Sequence, residues 1–179
     1  MQAQANAPKR GLMIKLVALV GVAAIAAFAY FKVNAGNAAP DVTFTKLDGQ
    51  QVALKDLRGK VVMVNFWTYG CYNCVNTLPH VTELYAKYRD RGFVVVGIHT
   101  PEFPFERSAS NVQAALKRHG ITYPVAQDND SKTWNAYSNQ YWPAQYIIDQ
   151  NGKIVFQHAG EGRYDEIDRT VAKLLNASS

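Results

Sequence analysis

Cys71 and Cys74 are the only two cysteines in this chain of 179 residues, and they stand as Cys71-Tyr72-Asn73-Cys74 between a strand pattern and a helix pattern. The strand pattern is Val61 to Trp67 (VVMVNFW), and the helix pattern carries apolar residues at Val75, Leu78, Leu84, Tyr85 and Tyr88. At a helix N-terminus the unpaired N–H groups and the macrodipole favour negative charge. The first sulfur is therefore favoured as thiolate, the nucleophile of disulfide exchange. The second lies one helical turn on, close enough to close a disulfide. This is the layout of a dithiol redox site. Structural zinc would need four ligands, and His80, His99, His119 and His158 are scattered without ligand spacing, so no metal is expected. A purely structural disulfide across so short a loop would remove little unfolded-state entropy.

The N-terminus suggests where such chemistry would take place. Leu16 to Phe31 is an uninterrupted apolar run, extended by Leu12, Met13 and Ile14 around Lys15. The span 12–33 is about long enough to cross a bilayer as one helix. Lys9, Arg10 and Lys15 precede or begin it, which places residues 1–11 in the cytoplasm and the rest of the chain outside. A cleavable signal peptide is the alternative, because Ala27-Phe28-Ala29 offers small residues at a cleavage-type site. Tyr30 and Phe31 at the end of the run suit an interfacial belt, which favours a retained anchor. All 14 acidic residues lie after residue 40, with 15 of the 19 lysines and arginines, so the remainder is nearly neutral and shows no basic stripe for nucleic acid.

Residues 34–40 (NAGNAAP) suit a short linker, and 41–179 make one domain of ordinary size. Asp48-Gly49 joins two alternating segments, 42–45 and 51–54, as a β-hairpin. A strand over 61–67 and a helix from about Cys71 to Arg91, stopped by Gly92, come next. The continuous apolar run Phe93 to Ile98 predicts a buried strand. Ser110-Asn111-Val112-Gln113 reads as a capping box opening a helix through His119. Ile121 to Ala126 reads as a strand, and Asp130 as the cap of a helix through Tyr137. Ala144 to Ile148 and Ile154 to His158 read as strands joined by the turn Gln150-Asn151-Gly152, and Arg163 to about Leu175 as an amphipathic helix. Helices alternating with strands predict an α/β sandwich around a mixed sheet.

With these elements in order, the chain resembles a known family. FWTYGCYNC with Pro79 beyond it, and the later YWPAQYIID, resemble the thioredoxin fold. The opening APDVTFTKLDGQQVALKDLRGKVVMVNFW is similar to membrane-anchored TlpA/ResA-like thioredoxins, and HTPEFPFE with DNDSKTWNAYSNQYWPAQYIID to the thioredoxin-like domain of DipZ-type proteins. The resemblance implies a thioredoxin-like sandwich with an N-terminal β-hairpin extension, preceded by one transmembrane helix. It implies that Cys71 attacks and Cys74 resolves, and that Pro143 is a cis-proline facing the disulfide. Trp142 and Tyr141 would then bind the substrate peptide, and Trp67 would lie beneath the active-site loop.

The chain also departs from the family. Thioredoxins proper carry a buried aspartate where this chain has Asn65, and DipZ-like sequences a hydroxyl residue where it has Gly70. Glu102, in the loop after the 93–98 strand, is the candidate replacement acid, set against the plainer reading of a solvated loop carboxylate. His99 reads as a hydrogen-bonded structural histidine. The resulting expectation is an extracytoplasmic, membrane-tethered thiol–disulfide oxidoreductase with no cofactor beyond its dithiol. It would reduce protein disulfides and be recharged by a membrane electron donor of the CcdA/DsbD kind, for instance in cytochrome c maturation. A disulfide-donating oxidase and a non-catalytic tethered redox-sensing module are the alternatives. The peroxiredoxin pattern Pro-x-x-x-Thr-x-x-Cys is absent.

Overall fold

Strand β3 (Val61–Trp67) is buried along its whole length, as an apolar run interrupted only by Asn65 requires. Alternate side chains enter two separate cores. Val61, Met63 and Trp67 pack with Leu78, Val81 and Leu84 of helix α1 (Tyr72–Tyr88) and with Ile167, Val171 and Leu175 of the C-terminal helix, Tyr164–Asn176. Val62, Val64 and Phe66 pack on the other side with Phe44, Tyr137 and Tyr146. The computed structural model of the chain describes residues 36–177. The expected 12–33 anchor lies outside them, and among the described residues no helix is long and apolar enough to cross a membrane.

The central sheet has the order β5-β4-β3-β6-β7, with β4 Phe93–His99, β5 Val125–Gln127, β6 Ala144–Ile148 and β7 Ile154–Ala159. β3 runs parallel to β4 and antiparallel to β6, so the sheet is mixed as expected. The hairpin β1 (Thr43–Thr45) and β2 (Gln51–Ala53) forms its own two-stranded sheet around Gly49, whose φ of 83° suits the turn. A bridge from Lys46 to Ala126 ties it to β5. The segment before it is bonded to the far edge: Ile154 N–H donates to Asn37 O, Ala39 N–H donates to Gly152 O, and Ala39 is buried. The docked part of the chain thus begins ahead of residue 41. Helix α1 gives way to a 3₁₀ turn, Arg89–Arg91, and Gly92 ends it at φ 92°.

Three local expectations are corrected. Helix α2 spans Ala109–Arg118, with Ser108 at its N-cap, so Ser110 lies inside it and opens no capping box. Ser110 Oγ instead meets Ser108 Oγ at 2.8 Å. The strand expected over 121–126 is only Val125–Gln127, because Pro124 has no N–H to offer the ladder. Ile121 and Tyr123 enter the core instead. Helix α3 (Lys132–Ala136) is capped by Asp128 rather than Asp130. Ser131, at φ 55°, turns the chain back, and the Asp128 carboxylate accepts the N–H groups of Thr133 (3.0 Å) and Trp134 (2.9 Å) and the Thr100 hydroxyl (3.2 Å). The C-terminal helix Tyr164–Asn176, α4, matches its expected span.

The two aspartates should separate cleanly in urea denaturation. Asp128→Ala should cost about 2 kcal/mol, the upper range for a lost cap. Asp130→Ala should change stability by less than about 0.5 kcal/mol, as for an ordinary surface site. Equal losses at the two positions would contradict the capping assignment.

Candidate active site

The parallel β3/β4 register pairs Trp67 with His99, and the antiparallel β3/β6 register pairs Phe66 with Ala144. Three loops therefore leave the sheet at one end: 68–71 after β3, 100–107 after β4, and 139–143 before β6. The two cysteines sit on the first. Cys71 is the N-cap of α1, in extended conformation and half-buried, and its sulfur accepts the Cys74 N–H at 3.3 Å. Cys74 is fully buried. Both are free thiols. Burial pushes the Cys74 thiol far above its ordinary value, and the Cys71 sulfur and the Glu102 charge push the same way, against a bond to the Thr68 backbone.

The sequence-named residues of the third loop are held by their neighbours. The Trp142–Pro143 bond is cis. Trp142 donates its indole N–H to Thr100 O at 3.1 Å and packs on Trp134, with ring centroids 4.2 Å apart. Asn139 Nδ2 donates to Tyr141 O at 3.0 Å, and Asn139 Oδ1 accepts the Tyr146 hydroxyl at 2.9 Å. Pro143 is buried, whereas Tyr141 is exposed. Tyr72, Phe103, Phe105 and Tyr141 make up four of the five exposed large apolar side chains among the described residues, and all belong to these three loops or the start of α1.

Beneath the loops, Trp67 is fully buried against Gly97, where a Cβ would stand 3.2 Å from the indole nitrogen. Asn65 is buried beside Tyr123, whose hydroxyl is pushed up by its own burial. His99 is fully buried: its Nε2 lies 3.3 Å from Thr68 Oγ1, Tyr69 stacks on one face of the ring and Trp67 meets it edge-on. The expected structural histidine is thus in place. Glu102 is exposed, yet near enough for its charge to bear on Cys74.

Sequence reasoning missed Glu106. It is fully buried, and its Oε1 accepts Gly70 N–H at 2.8 Å while its Oε2 accepts the N–H groups of Glu102 (2.6 Å) and Phe103 (2.9 Å). The available signal was its spacing: Glu106 stands three residues after Phe103, where a glutamate reaches back to the first N–H of a turn. The same spacing at Ser110 and Gln113 forms no capping box.

Comparison with known proteins places this geometry in a family. The AhpC/TSA family model matches residues 35–157. The chain belongs to that family. DipZ of Mycobacterium tuberculosis is 46% identical over 125 residues, 70% of this chain but 18% of DipZ's own length. The thiol-disulfide oxidoreductase ResA of Bacillus anthracis is 32% identical over 143 residues, 80% of each chain. The crystal structure of a thiol:disulfide interchange protein of the thioredoxin family from Chlorobium tepidum superposes with a TM-score of 0.67 at 27% identity, covering 78% of this chain and 97% of the other. This AhpC/TSA member has the thioredoxin-like α/β fold.

His99 gives the family member a titratable weakness. Burial lowers its pKa from 6.5 to about 4, with the Glu106 charge opposing. Between those values the unfolded chain binds a proton that the folded chain does not. Stability is therefore complete above about pH 6.5 and falls as pH drops toward 4, by at most about 3 kcal/mol from this group. His119 and His158 are also lowered by burial and act in the same direction. The measurement is therefore a difference: between pH 7 and pH 4.5, urea-measured stability should fall more in the wild type than in His99→Gln. Parallel losses would exclude His99 as the source.

Proposed function

We propose that this chain is a thiol–disulfide oxidoreductase, that Cys71 and Cys74 are its reacting dithiol, and that it reduces protein disulfides on the extracytoplasmic face of a membrane. The asymmetry of the two sulfurs carries the reading: Cys71 caps the helix at the surface, and Cys74 lies buried one turn behind with its N–H on the Cys71 sulfur. The Cys71 thiolate attacks one sulfur of a partner disulfide, and the partner's other sulfur leaves as a thiolate and takes up a proton. Cys74 then gives up its proton, attacks the Cys71 sulfur of the mixed disulfide and expels the partner's second thiolate. Two electrons pass to the partner and a Cys71–Cys74 disulfide remains.

Burial keeps the Cys74 thiol neutral until that second step. With Asn65 in place of a buried acid, Glu102 is the carboxylate that takes its proton and passes it to the departing partner thiolate. Tyr141, Trp142 and Pro143 receive the extended substrate segment, in the manner of strand addition. Return to the dithiol requires a membrane electron donor of the CcdA/DsbD kind and no cofactor beyond the cysteines themselves. A role in cytochrome c maturation fits this direction of flow. The apolar span 12–33 and the basic residues before it support tethering of the 41–179 domain.

Two experiments test the reading. Cys74→Ser should trap partners as reducible covalent adducts, and Cys71→Ser should trap almost none. Equal trapping would reverse or remove the assignment of the nucleophile. Equilibration of the pair against dithiothreitol and glutathione should give a potential near about −270 mV, the value for thioredoxin. A value near that of DsbA, about −120 mV, would make the protein a disulfide donor instead.

Membrane fractionation of cells should recover the full chain with its dithiol reactive toward an impermeant reagent from outside. A mature N-terminus between residues 30 and 40 in a soluble fraction would establish cleavage rather than anchoring.

A further inference from the structure

Two loops flank the dithiol, and one buried carboxylate joins them. Gly70 is the residue immediately before Cys71, and its N–H donates to Glu106 Oε1 at 2.8 Å. The second oxygen accepts the N–H groups of Glu102 and Phe103 from the opposite loop. Tyr69 adds a parallel tie, its hydroxyl donating to Phe105 O at 2.8 Å. Among the described residues only Glu106 and Asp128 are buried carboxylates, and Asp128 has a helix to cap. A buried carboxylate is costly unless its oxygens are hydrogen-bonded, and here three backbone donors satisfy both of them.

The same contact accounts for Gly70. A Cβ there would run into Glu106 Oε1, while the Gly70 backbone lies outside the left-handed region that would otherwise demand glycine. The absence of a side chain at Gly70 and the carboxylate at Glu106 are therefore two halves of one contact. That contact sets the chain direction into Cys71 and, through the Glu102 N–H, fixes the loop whose charge bears on Cys74.

We propose that Glu106 is a positioning residue for the intramolecular step, holding Gly70 and the 102–103 backbone so that the Cys71 sulfur lies in line for Cys74. This rests on the reading of Cys71 and Cys74 as the reacting pair. The first, bimolecular attack needs an exposed sulfur; the second needs two sulfurs in fixed relation, and intramolecular steps lose rate steeply with small misplacements. Glutamine at this position keeps the shape but replaces one acceptor oxygen with a donor, which faces backbone N–H groups on one side of the clasp.

The test follows the full chain in detergent through its reaction with glutathione disulfide, with acid-quenched mass spectrometry separating adduct formation from adduct collapse. In Glu106→Gln, formation of the Cys71–glutathione adduct should stay within about twofold of wild type, and its collapse to the Cys71–Cys74 disulfide should slow about tenfold or more. Gly70→Ala retains Glu106 and its charge but displaces the carboxylate, and should slow collapse to a similar degree whatever the folding of the Glu106 variants. In Glu106→Ala, adding Gly70→Ala should cost nothing further, because the two changes break one contact. Wild-type collapse in both Glu106→Gln and Gly70→Ala would overturn the proposal. So would equal slowing of both steps, or losses that multiply in the double variant. Cys71→Ser is the separate control for the parent reading: if it still forms the adduct, the dithiol assignment fails whatever Glu106 does.

Discussion

The complete burial of β3 is the constraint on which the rest depends. A strand covered on both faces has no freedom in register, since a one-residue slip would exchange the side chains of its two cores. Met63 and Trp67 must meet α1 and α4, and Val64 and Phe66 must meet Tyr137 and Tyr146. Once β3 is placed, pairing sets the ends of β4 and β6 beside its own, at Trp67, His99 and Ala144. The segments that follow β3 and β4 and precede β6 then have nowhere to go but the same end of the sheet. The site is where those three loops converge.

Hydrogen bonds from buried polar side chains, together with ring packing of Trp142 on Trp134 and Tyr69 on His99, hold the loops there. Asp128 caps α3 and accepts the Thr100 hydroxyl, and the Thr100 carbonyl accepts Trp142. Asn139 fixes Tyr141 from below, and Glu106 joins Gly70 to Glu102 and Phe103. Asp128, Asn139 and Glu106 are all buried, and each makes at least one hydrogen bond with backbone that no strand ladder can satisfy. A loop fixed in this way can present the Cys71 sulfur without being covered itself.

The two cysteines have unequal surroundings. Cys71 caps a helix at the surface, and Cys74 lies in the apolar core with Leu78 and Trp67. Asn65, buried in β3, carries no charge. The nearby carboxylate charge comes instead from Glu102, on the exposed loop.

Much of this was legible in the sequence. The β-hairpin around Gly49, the seven-residue β3, the stop at Gly92 and the final amphipathic helix are local patterns, each decided by periodicity or a turn residue within a few positions. The Cys71-Tyr72-Asn73-Cys74 spacing at a strand-to-helix junction is equally local, and it suffices to suggest dithiol chemistry. What the sequence by itself misplaced were the start of β5 and two caps. Ser110 and Asp130 satisfy local rules, but Ser108 begins α2 and Asp128 reaches over α3 because Ser131 turns the chain back. Only the tertiary structure decided that Glu106 meets Gly70, 36 residues away. A backbone N–H at Gly70 shows no preference in sequence for its acceptor. That partner exists only once β3 and β4 lie side by side and bring their loops together.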